Sequence, residues 1–319
     1  MHCVLRPDWP RYCRPLSINL LRAASSVQYK MCSACQIYIN RHIRGTAKYT
    51  GLGMQVFAGV LDSEGDGAKK LKEWDPERIA VLQMDVTNPE HIAQVKETIN
   101  KRLGQKGLWG LVNNAGLLLC PVDAELQSTS SLRRLMEVNF LSAVTVTQTF
   151  LPLIRKAKGR VVGVSSLAGK SNNIPGVVCF IHTFEKSLVL LRLEMLQWGV
   201  HVAVIQPSGF KTSMELLIEP IMLILILLEE LLSHTSPELL QDYGQDYISS
   251  LPSVLDTMSQ ATKQDMSPVL DCIEHALLST HPRPLYCPGK SAWLLPFLYT
   301  HLPTATFDRF TVRVRNIQK

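Results

Sequence analysis

Leu108-Trp-Gly-Leu-Val112, followed at once by Asn113-Asn-Ala-Gly116, decides the fold of this 319-residue chain. The run is nearly continuous in apolar residues, as expected for a strand covered on both faces of a sheet. Its end is abrupt: two amides, then two small residues, a turn that lets a flat ligand approach the backbone. The same grammar recurs on either side. Gln55–Gly59, Ile79–Met84, Arg160–Val164 and His201–Ile205 read as short apolar strands. Between them, Ala68–Trp74 is a mixed helical stretch, and Pro89–Leu103 carries Ile92, Val95 and Ile99 on one helical face. Leu132–Arg155 reads as one long helix, with Leu135, Met136, Val144, Leu151 and Ile154 at helical spacing. Strands alternating with helices of this length imply an α/β fold with a doubly wound, mostly parallel sheet. Ligands of such sheets lie beyond the carboxyl ends of the strands.

Composition narrows the class. Apolar residues make up 46% of the chain and charged residues 19%, enough for a sizeable core. The longest strictly apolar run, Ile221–Leu228, is far short of the roughly 18 to 20 residues that span a bilayer. The net charge of +6 is concentrated at one end. Residues 1–50 hold Arg6, Arg11, Arg14, Arg22, Lys30, Arg41, Arg44 and Lys48 against the single acid Asp8, which leaves residues 51–319 nearly neutral. The body therefore shows no footprint for nucleic acid. The chain divides into a basic segment, 1–50, and a main domain, 51–319, whose C-terminal part starts near residue 212. Eight scattered cysteines read as thiols, and Cys32-x-x-Cys35 lacks a second pair at metal-site spacing.

The strand ends carry the candidate chemistry. They are Asp85-Val86-Thr87, Asn113-Asn114-Ala115-Gly116, Ser165-Ser166 and Gln206-Pro207-Ser208-Gly209. Each alone is an ordinary turn or cap. Together with Asn139 in Glu137-Val-Asn139, their order and spacing resemble the short-chain dehydrogenase/reductase superfamily. Further segments resemble its 17β-hydroxysteroid dehydrogenase branch: Gly59–Gly65, Leu82–Asp85, Gly107–Asn114, Phe150–Arg155, Gln241–Ile248, Ser267–Leu270 and Pro288–Lys290. Retinol and 3-hydroxybutyrate dehydrogenases share some of them.

The resemblance implies a Rossmann-like fold, NAD as cofactor and hydride transfer from a steroid alcohol. Asp85 and Val86 would face the adenine. Asn113, Ala115 and Gly116 would line the cofactor cleft, and Pro207 and Gly209 the nicotinamide side. Ser166 would polarise the substrate oxygen, and Asn139 would support a proton-relay water. The implied ligand is a small apolar alcohol or ketone, with a membrane and a second copy of the chain as open partners. The implied location is the endoplasmic reticulum membrane. The Arg-rich, acid-poor leader also has the composition of a mitochondrial transit peptide, or of unrelated sequence joined to a truncated enzyme.

Two parts of the family pattern are absent. No strand-then-glycine turn of the Thr-Gly-x-x-x-Gly-x-Gly type precedes residue 54, and Thr50-Gly-Leu-Gly53 sits where a helix should end. Gln36-Ile-Tyr-Ile-Asn40 could serve as a surrogate first strand, with 41–53 as its crossover. The Tyr-x-x-x-Lys pair is also missing, for no tyrosine lies between Ser166 and Arg192. His182 and Lys186 are four apart but out of register with the family's pair. These departures predict impaired turnover. A non-catalytic binding protein is the competing class.

Overall fold

The computed structural model describes residues 36–41, 54–117, 122–167, 178–210, 231–253, 265–289 and 294–309, with single positions omitted, and of 36–41 only the backbone. Cys32 and Cys35, the Thr50–Gly53 turn, the segment 168–177 and most of the apolar stripe from Met214 lie outside the described residues.

The sheet has seven strands: β1 Gln36–Arg41, β2 Met54–Val60, β3 Ile79–Gln83, β4 Gly110–Asn113, β5 Arg160–Val164, β6 His201–Ile205 and β7 Leu285–Tyr286. Their order across the sheet is β3-β2-β1-β4-β5-β6-β7. The helices are α1 Asp66–Trp74, α2 Pro89–Leu103, α3 Thr129–Met136, α4 Ser142–Ala157, α5 Val178–Met195, α6 Pro237–Tyr243, α7 Ser267–Leu278 and α8 Leu294–His301. The fold is the expected α/β doubly wound type, its first strand replaced by Gln36–Arg41.

Strand side chains alternate between two cores. Phe57, Leu111, Val161, Val202 and Val204 are buried with residues of α2, α4 and α5. Their neighbours Val56, Ala58, Val112, Val162, Ala203 and Ile205 join Leu71 of α1 and Val269, Ile273, Ala276 and Leu277 of α7. Burial on both faces explains why these strands read as unbroken apolar runs.

Local signals set several boundaries. Asn88 caps α2, its side chain accepting from the N–H groups of Glu90 (2.9 Å) and His91 (3.3 Å), with Pro89 in the first turn. Arg160 and Trp109 end α7: the Arg160 guanidinium donates to the carbonyls of Ala276 (2.7 Å) and Ser279 (2.6 Å), and the Trp109 indole donates to Leu277 O (3.0 Å). Cations and donors at a helix C-terminus satisfy its orphan carbonyls.

Two expectations need correction. The helix expected over Leu132–Arg155 runs unbroken from Thr129 to Ala157 but is not regular, because a π-helical turn, Glu137–Leu141, lies between α3 and α4. And β1 does not run parallel to β2, as the expected crossover between them would require. β1 is antiparallel to both neighbours, with Gln36 opposite Gly59 and Asn113, and Arg41 opposite Met54. Antiparallel neighbours are joined by a hairpin connection at one edge of the sheet.

Candidate functional site

The carboxyl ends of β2 to β6 line up along one edge. Val60 stands opposite Gln83, Asn113 opposite Gly163, and Val164 opposite Ile205. The residues singled out from the sequence follow these ends, so the fold brings them to one edge.

After β3, Asp85 forms a tight local turn. Its Oδ1 accepts from the Thr87 N–H (2.9 Å) and hydroxyl (2.7 Å), and the Asp85 N–H donates to His91 Nδ1 (3.2 Å). The Val86 side chain is buried in the core with Ile92 and Val95, so its backbone is what it offers a ligand.

After β4, Asn113 is buried and donates through Nδ2 to Thr147 Oγ1 of α4 (2.7 Å), tying the strand end to the helix. Asn139 clamps the loop that follows. Its Nδ2 donates to Leu117 O (2.8 Å), and its Oδ1 accepts from Leu117 N–H (2.6 Å). The π turn presents this side chain, since one extra residue per turn rotates position 139 off the regular helical face. Asn139 Oδ1 is also the nearest atom, at 3.5 Å, to where a side chain on Gly116 would begin, so Gly116 leaves room at the loop.

The ends of β5, β6 and β7 are laced together past the strands. Leu167 N–H donates to Pro207 O (2.9 Å), Gln206 N–H to Tyr286 O (2.8 Å) and Ser208 N–H to Pro288 O (3.1 Å). Ser166, half-buried, is thus held beside the Pro207–Gly209 loop. Gly289 has φ +123, and a Cβ there would overlap the Ser208 hydroxyl, so the Pro288-Gly289 pair lets the two loops touch.

Sequence reasoning missed Glu185 and Thr147. Glu185 is a buried carboxylate on α5 that accepts from the Ser165 hydroxyl (2.7 Å), directly before Ser166. Its signal was its place beside Phe184 and one turn before Leu188, on the buried side of the helix. Of the two residues at the spacing of the missing pair, Lys186 is exposed and His182 half-buried. Tyr286 is no replacement phenol either. Its hydroxyl accepts from Arg283 N–H and pairs with His275 Nδ1, both at 2.8 Å. Burial pushes its pKa up, away from what a base at neutral pH requires.

The Gln241–Ile248 segment also acquires a role. The hydroxyls of Tyr243 and Tyr247 donate to Glu125 Oε2 and Asp123 Oδ2, each at 3.2 Å, and the two rings meet at 5.1 Å. With Leu239 and Leu240 they pack on Val122, Leu126, Leu231 and Leu251 in a small satellite core.

A doubly wound sheet with an asparagine-glycine turn after its fourth strand and a serine after its fifth belongs to the oxidoreductases built on this fold. The short chain dehydrogenase profile matches residues 46–219, and the chain belongs to that family. It is 40% identical over 280 residues to mouse estradiol 17-beta-dehydrogenase 2, spanning 83% of this chain and 69% of the mouse protein. It is also 40% identical over 268 residues to bovine 11-beta-hydroxysteroid dehydrogenase type 2, spanning 82% and 65% of the two chains. A short-chain dehydrogenase from Streptomyces avermitilis shares the fold, with a TM-score of 0.60 at 19% identity over 81% of this chain and 87% of its own. The chain is thus similar in sequence to steroid dehydrogenases.

Members of the family use nicotinamide dinucleotides, and among the described residues the middle of such a cofactor does not find its usual site. A dinucleotide's diphosphate sits where a central strand turns into a helix, against that helix's N-terminus. At that place the described chain has the start of β1, a strand running the other way.

Proposed function

We propose that this chain handles a steroid alcohol or ketone as an NAD-dependent 17β-hydroxysteroid dehydrogenase does, with impaired turnover. The observation that carries the reading is the lacing of Leu167 to Pro207. It holds Ser166 against the Pro207–Gly209 loop, beside a helix, α5, that offers no phenol. Ser166 there acts as hydrogen-bond donor to the substrate oxygen. Asn139 holds the far side of the cleft through Leu117 and supports a relay water at its turn. Asp85, Val86, Asn113, Ala115, Gly116, Pro207 and Gly209 line the cleft.

Impairment follows from proton chemistry. A hydroxyl on carbon becomes a ketone only if its proton leaves with a partner, and general acid–base catalysis contributes roughly 10²- to 10⁴-fold. Serine donates but is a poor base. Glu185 lies behind Ser165 with its carboxylate already accepting from that hydroxyl.

The helices between 231 and 253, packed on Val122 and Leu126, form part of a cover for an apolar ligand. The exposed apolar row Leu190, Leu193, Leu196 and Trp198 along α5 and the turn after it supports pairing with a second copy. Among the described residues no helix is long and apolar enough to cross a membrane. Endoplasmic reticulum membrane association rests on the steroid dehydrogenase lineage alone.

Equilibrium dialysis with tritiated estradiol, testosterone and retinol tests the substrate class. Saturable steroid binding that retinol displaces weakly is expected. Binding of retinol alone, or of neither class, would overturn the reading.

A further inference from the structure

We infer that the chain fills the centre of its sheet with a reversed strand, and that this reversal removes the diphosphate cradle, so that its cleft binds through the rings of a ligand and gains nothing from a dinucleotide's diphosphate. The inference deepens the proposed function, resting on it only for the position of the cleft.

The slot between β2 and β4 is where a parallel strand would complete the sheet, since β2 and β4 run the same way. Two unpaired edges in mid-sheet would strand a row of buried N–H and C=O groups. Gln36–Arg41 pairs with β2 along its whole length and with β4 from Gln36 to Ile39, so the slot is closed. Backbone pairing is indifferent to direction in a way that ligand binding is not. A strand running parallel would end at the carboxyl edge and pass into a crossover helix whose free N–H groups face that edge. The reversed strand ends at Arg41, opposite Met54, at the other edge. The described strand thus leaves the sheet at that edge, away from the carboxyl edge where a cradling helix begins.

The described side chains at the carboxyl edge supply no cradle of their own. Asp62 follows β2 and accepts from the Glu64 N–H (2.9 Å), Lys72 is engaged by Glu64 (3.0 Å), and Asp85 follows β3. The desolvation of an uncradled diphosphate there is left uncompensated. The stations for flat rings, after β3, β4 and β6, remain. The cleft therefore recognises uncharged rings, adenosine or a steroid, and gains nothing from phosphate.

Isothermal titration of the wild-type chain with adenosine, AMP, ADP and NAD tests this. Affinities level within about threefold, or falling as phosphate is added, are expected; ADP or NAD binding more than about tenfold tighter than adenosine would overturn the inference. Strand direction has its own readout. In a background with the native cysteines replaced by serine, Ile37→Cys with Ala58→Cys should cross-link, since these positions are opposed. Cross-linking of Asn40→Cys with Ala58→Cys instead would show a parallel strand and overturn the inference. Tritiated steroid binding in the same preparation separates the two claims. Its loss would sink the proposed function while the cross-link still decides the strand.

Discussion

Gly163 sets the distance between β5 and α5, and Gly163→Ala should drive them apart. A Cβ at this position would stand 2.9 Å from Phe184 Cζ and nearer still to Leu188 Cδ1. Both side chains are buried, at 6% and 3% exposure, so neither can swing into solvent. Overpacking of this kind costs about 1–3 kcal/mol, and the lack of an escape route places the change in the upper half of that range. The displacement also pulls Glu185 from Ser165, one residue before Ser166. Leu188→Ala alone should cost about 2–5 kcal/mol through the cavity it leaves. In the double variant the new methyl occupies part of that cavity, so the two costs should fall short of additivity by at least ~1 kcal/mol. Urea unfolding of the four proteins, followed by circular dichroism, gives the cycle. Additive costs, or a Gly163→Ala variant as stable as wild type, would refute the packing of α5 on β5 described above.

Other outcomes follow from particular contacts. Asn139→Ala should cost about 1–3 kcal/mol by leaving both polar groups of Leu117 unmet. Asn139→Asp should recover little, because a carboxylate cannot donate to the Leu117 carbonyl; an Asn139→Asp variant as stable as wild type would refute the clamp. Tyr243→Phe with Tyr247→Phe should speed amide hydrogen exchange within 237–253 while leaving the sheet unchanged, and an unchanged segment would remove the tyrosines as its fastening. Partial desolvation and the Arg160 guanidinium hold His201, still exposed on its outer side, below its ordinary value of 6.5. The folded state then binds fewer protons than the unfolded one, so this contribution to stability is present above pH 6.5 and is lost as pH falls through and below it. Urea midpoints at pH 7.5 and pH 5 should fall further for wild type than for His201→Gln, and identical falls would refute it. Gly289→Ala, strained at positive φ and overlapping Ser208, should weaken steroid binding by disturbing the Pro207–Gly209 loop; unchanged binding would contradict that loop's place in the cleft.

Much of this architecture is legible because its residues speak locally. Arg160–Val164 and His201–Ile205 are bounded as their apolar runs suggest, and Pro89–Leu103 is bounded by Asn88, Pro89 and Gly104. The π turn at Glu137–Leu141 is invisible in sequence because Glu, Val, Asn, Phe and Leu all continue a helix acceptably; only the loop at Leu117 explains the extra residue. The alternation in Gln36–Asn40 marks a strand but not its direction, since a period of two reads the same from either end. The site is harder. The strand-end residues could be placed on one edge from topology alone, but not their partners: Thr147 under Asn113 and Glu185 behind Ser165 are neighbours only after folding. Glu185 is the sharper case, because a carboxylate on a helix is ordinarily solvated, and here it is buried and accepts from the Ser165 hydroxyl of another element.

On the function proposed above, this member of the family keeps an edge that would hold a steroid and lacks the Tyr-x-x-x-Lys pair that would turn it over. NADH formation by the purified full chain with NAD and estradiol, set against an intact steroid dehydrogenase under the same conditions, measures it most directly. A rate below about one-hundredth of the intact enzyme's is predicted, since the missing acid–base pair alone is worth at least that factor. A rate comparable to the intact enzyme's would contradict the claim.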